Sequence, residues 1–152
     1  MSEPMPYTLE LLGCTGFSLT GDETAAFLMS NDPGSDFQRW MIRTVFQPAD
    51  RLAGFVFVNV ATDKPLKFMG ANKHLGMGAR GDLDARVLWQ LSILEILNQG
   101  PFWQITAFTD SSQAVDAYGP DGCRDGAVVQ SHDRNQTNRQ LWALRPSAVT
   151  PG

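Results

Sequence analysis

The chain has 152 residues, of which 43% are hydrophobic and 18% charged, a balance that excludes a disordered tail and supports one sizeable core. Its net charge is −4, and its 12 basic residues are scattered without a cluster that would follow a phosphate backbone, which excludes nucleic acid as an expected partner. The sequence contains no apolar run of the roughly 18 residues that a membrane-spanning helix needs, so membrane insertion is not expected.

The N-terminal segment Met1–Pro6 lacks the positive start and the apolar run of a secretory signal. This predicts a location in the cytoplasm and nucleus. Because such compartments are reducing, the two cysteines, Cys14 and Cys123, are predicted to be unpaired thiols rather than a disulfide. The segment Asn135–Thr137 fits the N-glycosylation pattern, but without secretion it is predicted to be a polar loop.

Short strand patterns dominate the first fifty or so residues. Each is bounded by Gly, Pro, Asn or Asp, and they follow one another every eight to twelve residues or so, which is typical of an all-β barrel or sandwich. The predicted strands of this first unit are residues 7–12, 17–20, 25–29 and 37–42.

The same plan is repeated twice along the chain. The second unit has strand patterns at residues 54–60, 66–69 and 87–92, with a glycine-rich surface loop from Gly70 to Asp84 around one short strand. The third unit has strand patterns at residues 102–108, 114–118, 127–131 and 140–144. A turn at residues 119–122 and a polar loop at residues 132–139 separate them.

Trp40, Trp89 and Trp142 recur at intervals of about fifty residues, which indicates a repeat architecture. Gln38 and Gln140 complete a Gln-x-Trp signature in the first and third units, whereas the second unit lacks the Gln. We therefore predict a single β-trefoil domain over residues 1–152, a six-stranded barrel capped by three hairpins. The tryptophans are expected in its core, and each Gln is expected to satisfy the backbone of a neighbouring loop. The predicted units are residues 1–50, 51–97 and 98–146, approximately.

Six ordered segments resemble one protein family. They are residues 35–40, 57–67, 84–89, 115–119, 125–129 and 138–142, and their order and spacing resemble the Euonymus-type lectin domain of plants. That family is more distantly related to ricin-B-type lectins, which share the β-trefoil. The resemblance implies a nucleocytoplasmic agglutinin that binds galactosylated oligosaccharides, blood-group-B-like structures or mannose-rich N-glycans. The expected partners are therefore glycans and glycoproteins, and a second site or a homodimer would be needed for useful avidity.

The third unit best supplies the groups that a shallow monosaccharide site needs, a carboxylate or amide pair beside an aromatic face. Asp116 is predicted to accept hydrogen bonds from two sugar hydroxyls, with Asn138 and Gln140 brought beside it by closure of the trefoil. Tyr118 or His132 could provide the ring face. The candidate carbohydrate-binding residues are Asp116, Tyr118, Gly119, Gln130, His132, Asn135, Asn138 and Gln140.

Structural roles for these residues stay open. Asp116 could stabilise its own turn, Gln140 could be structural first, and Asn138 could cap a loop. The sequence also departs from the family, because the stretch at residues 130–133 stands where a tryptophan-containing stretch is usual, and Arg139 stands where the family has Asn. Both departures concern the specificity of the site.

Other polar groups are interpreted as solvated loop. They are Asp22, Asn31 and Asp32 in the first unit, Asn72 and His74 in the second, and the pair Asp82 and Asp84. The sequence shows no nucleophile elbow, metal-spaced cluster or phosphate-binding loop, so no enzyme activity, metal or cofactor is predicted. The competing hypothesis is a β-trefoil docking module or protease inhibitor that acts through a long, mobile, basic Gly70–Asp84 loop.

Overall fold

The computed structural model describes residues 5–47, 51–94, 101–117, 123–135 and 137–147. Within these ranges the chain forms twelve short strands, four in each predicted unit. The strands are β1 Tyr7–Leu11, β2 Phe17–Gly21, β3 Ala26–Ser30, β4 Trp40–Gln47, β5 Arg51–Asn59, β6 Leu66–Lys67, β7 Gly76–Met77, β8 Trp89–Leu94, β9 Phe102–Ala107, β10 Gln113–Asp116, β11 Gln130–Asp133 and β12 Trp142–Pro146. Short 3-10 turns at Asp36–Gln38, Ala85–Val87 and Asn138–Gln140 precede the closing strand of each unit.

Six of the strands close into a barrel. β1 pairs with β4, β4 with β5, β5 with β8, β8 with β9, β9 with β12, and β12 returns to β1, all antiparallel. The remaining strands form three hairpins, β2–β3, β6–β7 and β10–β11. This is the β-trefoil with three repeats that the sequence predicts, so the predicted fold class is confirmed.

Three buried tryptophans join the hairpins to the barrel. The indole Nε1 of Trp40 donates to the Leu19 carbonyl at 3.0 Å, and that of Trp89 donates to the Leu66 carbonyl at 3.0 Å. Trp142 donates in the same way to Val115 at 3.1 Å. Because the acceptors lie in the first strand of each hairpin, each ring fills the core while its polar group remains satisfied.

The closing strands begin later than the patterns predict. In the first and second units, 3-10 turns occupy the start of the predicted strands, because Ser35 and Asp84 accept hydrogen bonds from the backbone N–H groups of Phe37 and Arg86. The strand predicted at 127–131 is also displaced to Gln130–Asp133. The Ala127 carbonyl instead accepts a hydrogen bond from Leu28 N of the β2–β3 hairpin at 2.9 Å, and Gly126 N donates to the Leu28 carbonyl at 2.7 Å.

Cys14 and Cys123 form a disulfide with their Cα atoms 5.4 Å apart. The prediction of two unpaired thiols is therefore wrong. The pairing arises from the closed barrel, which places the turn after β1 in the first unit beside the loop between β10 and β11 in the third. In the part of the chain that is described, no helix has the length and apolar character to cross a membrane.

Candidate functional site

The hairpin of the third unit carries the predicted site. In the register of β10 and β11, Asp116 lies opposite Gln130, and Ala114 lies opposite His132. Since side chains alternate along a strand, Gln130 and His132 share one face of β11, and both are half-buried there. The hairpin therefore brings Asp116, Gln130 and His132 to one face of the two strands, with Asp116 buried.

Asp116 is the chemically distinctive group of this site. Its side chain is only 1% exposed, and its Oδ2 accepts a hydrogen bond from Gln140 Nε2 at 2.8 Å. Its Oδ1 is also buried, yet it accepts no hydrogen bond from any described residue. Burial raises the pKa of Asp116, while the hydrogen bond from Gln140 and the nearby His132 and Arg139 act in the opposite direction. The site thus contains a buried carboxylate oxygen to which no described residue donates a hydrogen bond.

Gln140 organises the loop beside this carboxylate. Its Oε1 accepts hydrogen bonds from Asn135 N at 2.8 Å and from Gln104 Nε2 at 3.0 Å. Its Nε2 donates to the Asp133 carbonyl at 2.8 Å as well as to Asp116. The predicted structural role of Gln140 and its predicted closeness to Asp116 are therefore both observed, and one amide serves both.

The other predicted residues take several positions. Asn135 uses its Oδ1 to accept from Thr137 N at 2.9 Å and Thr137 Oγ1 at 2.6 Å, so this oxygen is committed to a local turn. Asn138 lies in the third 3-10 turn, but its side chain lies outside the described residues. Tyr118 and Gly119 also lie outside them.

Two contributors to the site were missed from the sequence. Gln104 is buried on β9 and donates to the Asn135 carbonyl at 2.5 Å, besides its bond to Gln140. The sequence signal for Gln104 is its polar side chain between two apolar neighbours on a predicted core strand. Arg139 was noted only as a departure from the family, although its charge acts on Asp116.

Only the third unit places a carboxylate at this position of the trefoil. The carbonyls that accept from the three tryptophans align Leu19, Leu66 and Val115, so Thr20 and Lys67 occupy the places that correspond to Asp116. The three hairpins therefore share a backbone plan but differ in their side-chain chemistry.

Polar residues of the first-unit loops have local structural roles. Asp22 Oδ1 accepts from Thr24 N and Ala25 N, each at 2.8 Å, and these backbone bonds lower the pKa of Asp22. Asn31 Nδ2 donates to Glu10 Oε2 at 2.7 Å. These bonds give the side chains of Asp22 and Asn31 local structural partners, which the interpretation as solvated loop did not include.

The loop from Gly70 to Asp84 is seated on the third hairpin. Ser131 Oγ donates to the Gly70 carbonyl at 2.6 Å, and Ser131 N donates to the Lys73 carbonyl at 2.9 Å. Leu75 N donates to the Val129 carbonyl at 3.1 Å, and His74 forms an isolated bridge with Gln130. The first part of the loop that was predicted to be mobile, residues 70–75, is thus packed beside the candidate site, whereas residues 79–81, 83 and 84 are exposed.

Solved structures resemble this chain, although no protein-family model and no curated protein matches it. A mosquitocidal holotoxin matches with a TM-score of 0.78 and 16% identity over 97% of this chain, which spans 17% of the holotoxin chain. The designed threefold-symmetric protein ThreeFoil has a TM-score of 0.72 and 19% identity, with 92% of this chain and 97% of its own covered. The ricin B-like lectin of Macrolepiota procera in complex with lactose has a TM-score of 0.72 and 12% identity, covering 96% and 98% respectively. At these identities the similarity shows a shared β-trefoil fold.

A further match is an enzyme. The endo-β-galactosidase of Clostridium perfringens that releases GlcNAcα1-4Gal has a TM-score of 0.67 and 13% identity over 93% of this chain. This chain spans 32% of that enzyme. The match therefore concerns the fold of one part of the glycosidase and carries no activity over to this protein.

Proposed function

We propose that this protein binds glycans non-covalently through the third hairpin, with Asp116 as the principal acceptor of sugar hydroxyl hydrogen bonds. The observation that carries the proposal is the buried Asp116 Oδ1, which accepts no hydrogen bond from any described residue while Gln140 holds the opposite oxygen. A buried acceptor without a donor is unfavourable. A sugar hydroxyl would supply the missing donor, with Gln130 and His132 beside it on β11.

Similar folds in known lectins support this proposal. Besides the lactose complex, SeviL bound to the asialo-GM1 saccharide matches at 14% identity, and the C-half of the earthworm R-type lectin in complex with GalNAc matches at 11% identity. These ligands belong to those proteins. For this chain, the Euonymus-type resemblance extends the proposal to galactosylated, blood-group-B-like or mannose-rich N-glycans.

Two further expectations stay proposals. A non-enzymatic role fits a site built from one carboxylate and amide groups. The cytoplasmic and nuclear location rests on the sequence of residues 1–6, and the Cys14–Cys123 disulfide weighs against it, because such bonds are rare in reducing compartments. Labelling of thiols in freshly lysed producing cells distinguishes the oxidised from the reduced protein.

The alternative is a docking module or protease inhibitor that uses the Gly70–Asp84 loop. The first part of this loop, residues 70–75, hydrogen-bonds with β11 and the segment before it, whereas residues 79–81, 83 and 84 are exposed. Substitution within residues 70–75 would therefore disturb the candidate glycan site as well.

A glycan array tests the proposed function. Asp116→Asn keeps the size of the side chain and removes its charge. We expect a 10- to 100-fold or so loss of binding, because a hydrogen bond to a charged group contributes about 1.5–3 kcal/mol. The matched control is Asp110→Asn in the same unit, whose Oδ1 caps a turn by accepting from Ser112 N at 3.1 Å. Binding that survives in the Asp116 variant, or absence of binding by the folded wild-type protein, would contradict the proposal.

A further inference from the structure

A second cleft lies on the hairpin of the first unit. It has a volume of about 380 Å³ and is bounded by β2, β3 and the turn that leads into β4. Its walls include the side chains of Thr20, Asp22, Phe27, Met29, Asp32 and Phe37. None of these residues belongs to the proposed glycan site.

The cleft occupies the position in the first unit that the glycan site occupies in the third. Phe27 lies opposite Thr20 in the β2–β3 register, just as Gln130 lies opposite Asp116 in β10–β11. By the same alignment, Met29 corresponds to His132. The first unit thus has the hydroxyl of Thr20 in place of the carboxylate of Asp116. It has an aromatic ring in place of Gln130 and a thioether in place of His132. A ligand that depends on the Asp116 carboxylate would not find its partner here.

Two phenyl rings line this cleft from different elements, Phe27 from β3 and Phe37 from the turn before β4. Phe37 is 48% exposed, Phe27 is half-buried, and among the described residues the two rings make no ring–ring contact with each other. The face of an aromatic ring is negative and attracts cations, and the soft thioether of Met29 adapts to the shape of a neighbouring group. These walls therefore favour a cation that carries weakly hydrated apolar substituents.

The charges of the cleft have one sign. Asp22 and Asp32 each use Oδ1 to accept backbone hydrogen bonds, Asp22 from Thr24 and Ala25, and Asp32 from Gly34 at 3.1 Å. Their Oδ2 atoms accept no hydrogen bond from the described residues. No Lys, Arg or His is among the described residues that line the cleft.

Two basic residues that hydrogen-bond to backbone carbonyls beside Asp22 and Asp32 have acidic partners outside the cleft. Lys64 forms an ion pair with Glu23 at 2.8 Å, and Arg39 forms one with Asp36 at 2.6 Å. Neither of them lines the cleft, so no basic side chain among the described lining residues offsets the charges of Asp22 and Asp32.

We propose that the first-unit cleft binds a small organic cation, a methylated ammonium group that packs on Phe27 and Phe37 and faces the carboxylates of Asp22 and Asp32. A methylated ammonium fits better than a primary amine, because its methyl groups can replace water against the Phe and Met walls. This site goes beyond glycan binding and does not depend on it.

Choline and its uncharged isostere, 3,3-dimethylbutan-1-ol, test the proposal by NMR titration of the intact protein. We expect saturable shifts of the backbone amide signals of Thr20, Phe27 and Phe37 with choline and none with the alcohol. Equal binding of both compounds would show a merely apolar cleft and would overturn the proposal. Absence of saturable shifts with choline would also overturn it.

Two surface variants then locate the site. Phe37→Ala is expected to weaken choline binding by about 2- to 30-fold, the range that corresponds to a cation–π contribution of roughly 0.5–2 kcal/mol. Asp32→Asn is also expected to weaken it, because the cation loses the attraction of one negative charge. The control is Phe46→Ala, because Phe46 is a comparably exposed Phe, at 60%, that does not line the cleft. Choline binding unchanged by both cleft variants would overturn the assignment.

Trimethylammonium groups occur both on free molecules and on lipid headgroups. Sedimentation of the protein with phosphatidylcholine vesicles separates the two sources. Co-sedimentation that is lost in Phe37→Ala would assign the site to a lipid headgroup, whereas protein that binds choline but stays in the supernatant would assign it to a free ligand.

Discussion

Asp116 is buried in a way that protein interiors generally avoid for a carboxylate. One oxygen is held by Gln140, and the other accepts nothing from the described residues. The arrangement makes folding less favourable, because the charged form loses its hydration without full replacement. Perturbed groups of this kind gather at functional sites, so the unfavourable burial is itself an indication of binding.

Glycan binding should therefore weaken as the solution is acidified. The pKa of Asp116 is raised by burial above the ordinary value of 3.8, so the carboxylate gains a proton before an exposed Asp would. The protonated group has lost acceptor capacity for sugar hydroxyls. Affinity measured across a pH series should fall as the pH passes through this raised pKa. The glycan binding that remains in Asp116→Asn should not show this fall, and if it did, another group would be responsible.

The same shift has an opposite effect on folding. A carboxyl group with a raised pKa in the folded state contributes stability that is fully present below 3.8 and is lost as the pH rises through the folded pKa. Asp116→Asn should remove this contribution to the pH dependence of the free energy of unfolding. Urea unfolding of both proteins at several pH values measures it.

At the residue scale, Asp116 could be singled out from the sequence as the candidate acceptor, but its surroundings could not. Asp116 and Gln140 could be predicted because a family pattern marks them. Gln104 and the charge of Arg139 could not, because their relation to Asp116 depends on β9 and the third 3-10 turn meeting at the hairpin.

Among the elements, the ends of the first and third units are alike. Gln38 Oε1 accepts from Asp32 N at 2.9 Å, and Gln38 Nε2 donates to the Ser30 carbonyl at 2.9 Å, as Gln140 does for Asn135 and Asp133. In the second unit the buried Val87 stands at this position. There, Gly78 N donates to the Pro65 carbonyl at 2.8 Å, a backbone contact that helps to hold the preceding loop.

Gln38→Ala should lower the free energy of unfolding by about 1–3 kcal/mol, because the Asp32 N–H and the Ser30 carbonyl lose a buried partner. Denaturant unfolding measures the loss. Gln90→Ala is a suitable control, since Gln90 is exposed on β8 and should change stability by no more than about 0.5 kcal/mol. An equal effect of the two substitutions would contradict the role assigned to Gln38.

Strand existence could be predicted well, whereas strand starts could not. Alternating apolar residues and turn residues locate a strand, but Ser35 and Asp84 turn the chain locally just before β4 and β8. Likewise, the segment before β11 pairs with the hairpin of another unit, and Val128 bridges to Phe27. Such pairings between units are not visible in local periodicity.

At the scale of the whole molecule, the fifty-residue period was sufficient to predict a trefoil. The disulfide was not predictable in the same way, because it connects two cysteines 109 residues apart in sequence and follows only from closure of the barrel. The pairing that closes the barrel is extensive. β12 pairs with β1 over five residues, from Tyr7 opposite Pro146 to Leu11 opposite Trp142.

Cys123→Ser should lower the free energy of unfolding by about 2–4 kcal/mol, because the unfolded chain regains the freedom that the long covalent loop removes. Urea unfolding in the absence of reductant measures this loss. Added reductant should bring the wild-type protein to the stability of the variant and leave the variant unchanged. A wild-type protein that is indifferent to reductant would contradict the contribution assigned to the bond.

The bond between Cys14 and Cys123 also makes most of the chain a covalent ring. One proteolytic cut anywhere inside that ring opens it without dividing the molecule. A nicked protein should therefore migrate as one species on a denaturing gel without reductant and as two fragments with it. A protease can then cleave an exposed loop between the two cysteines while the two fragments stay covalently joined.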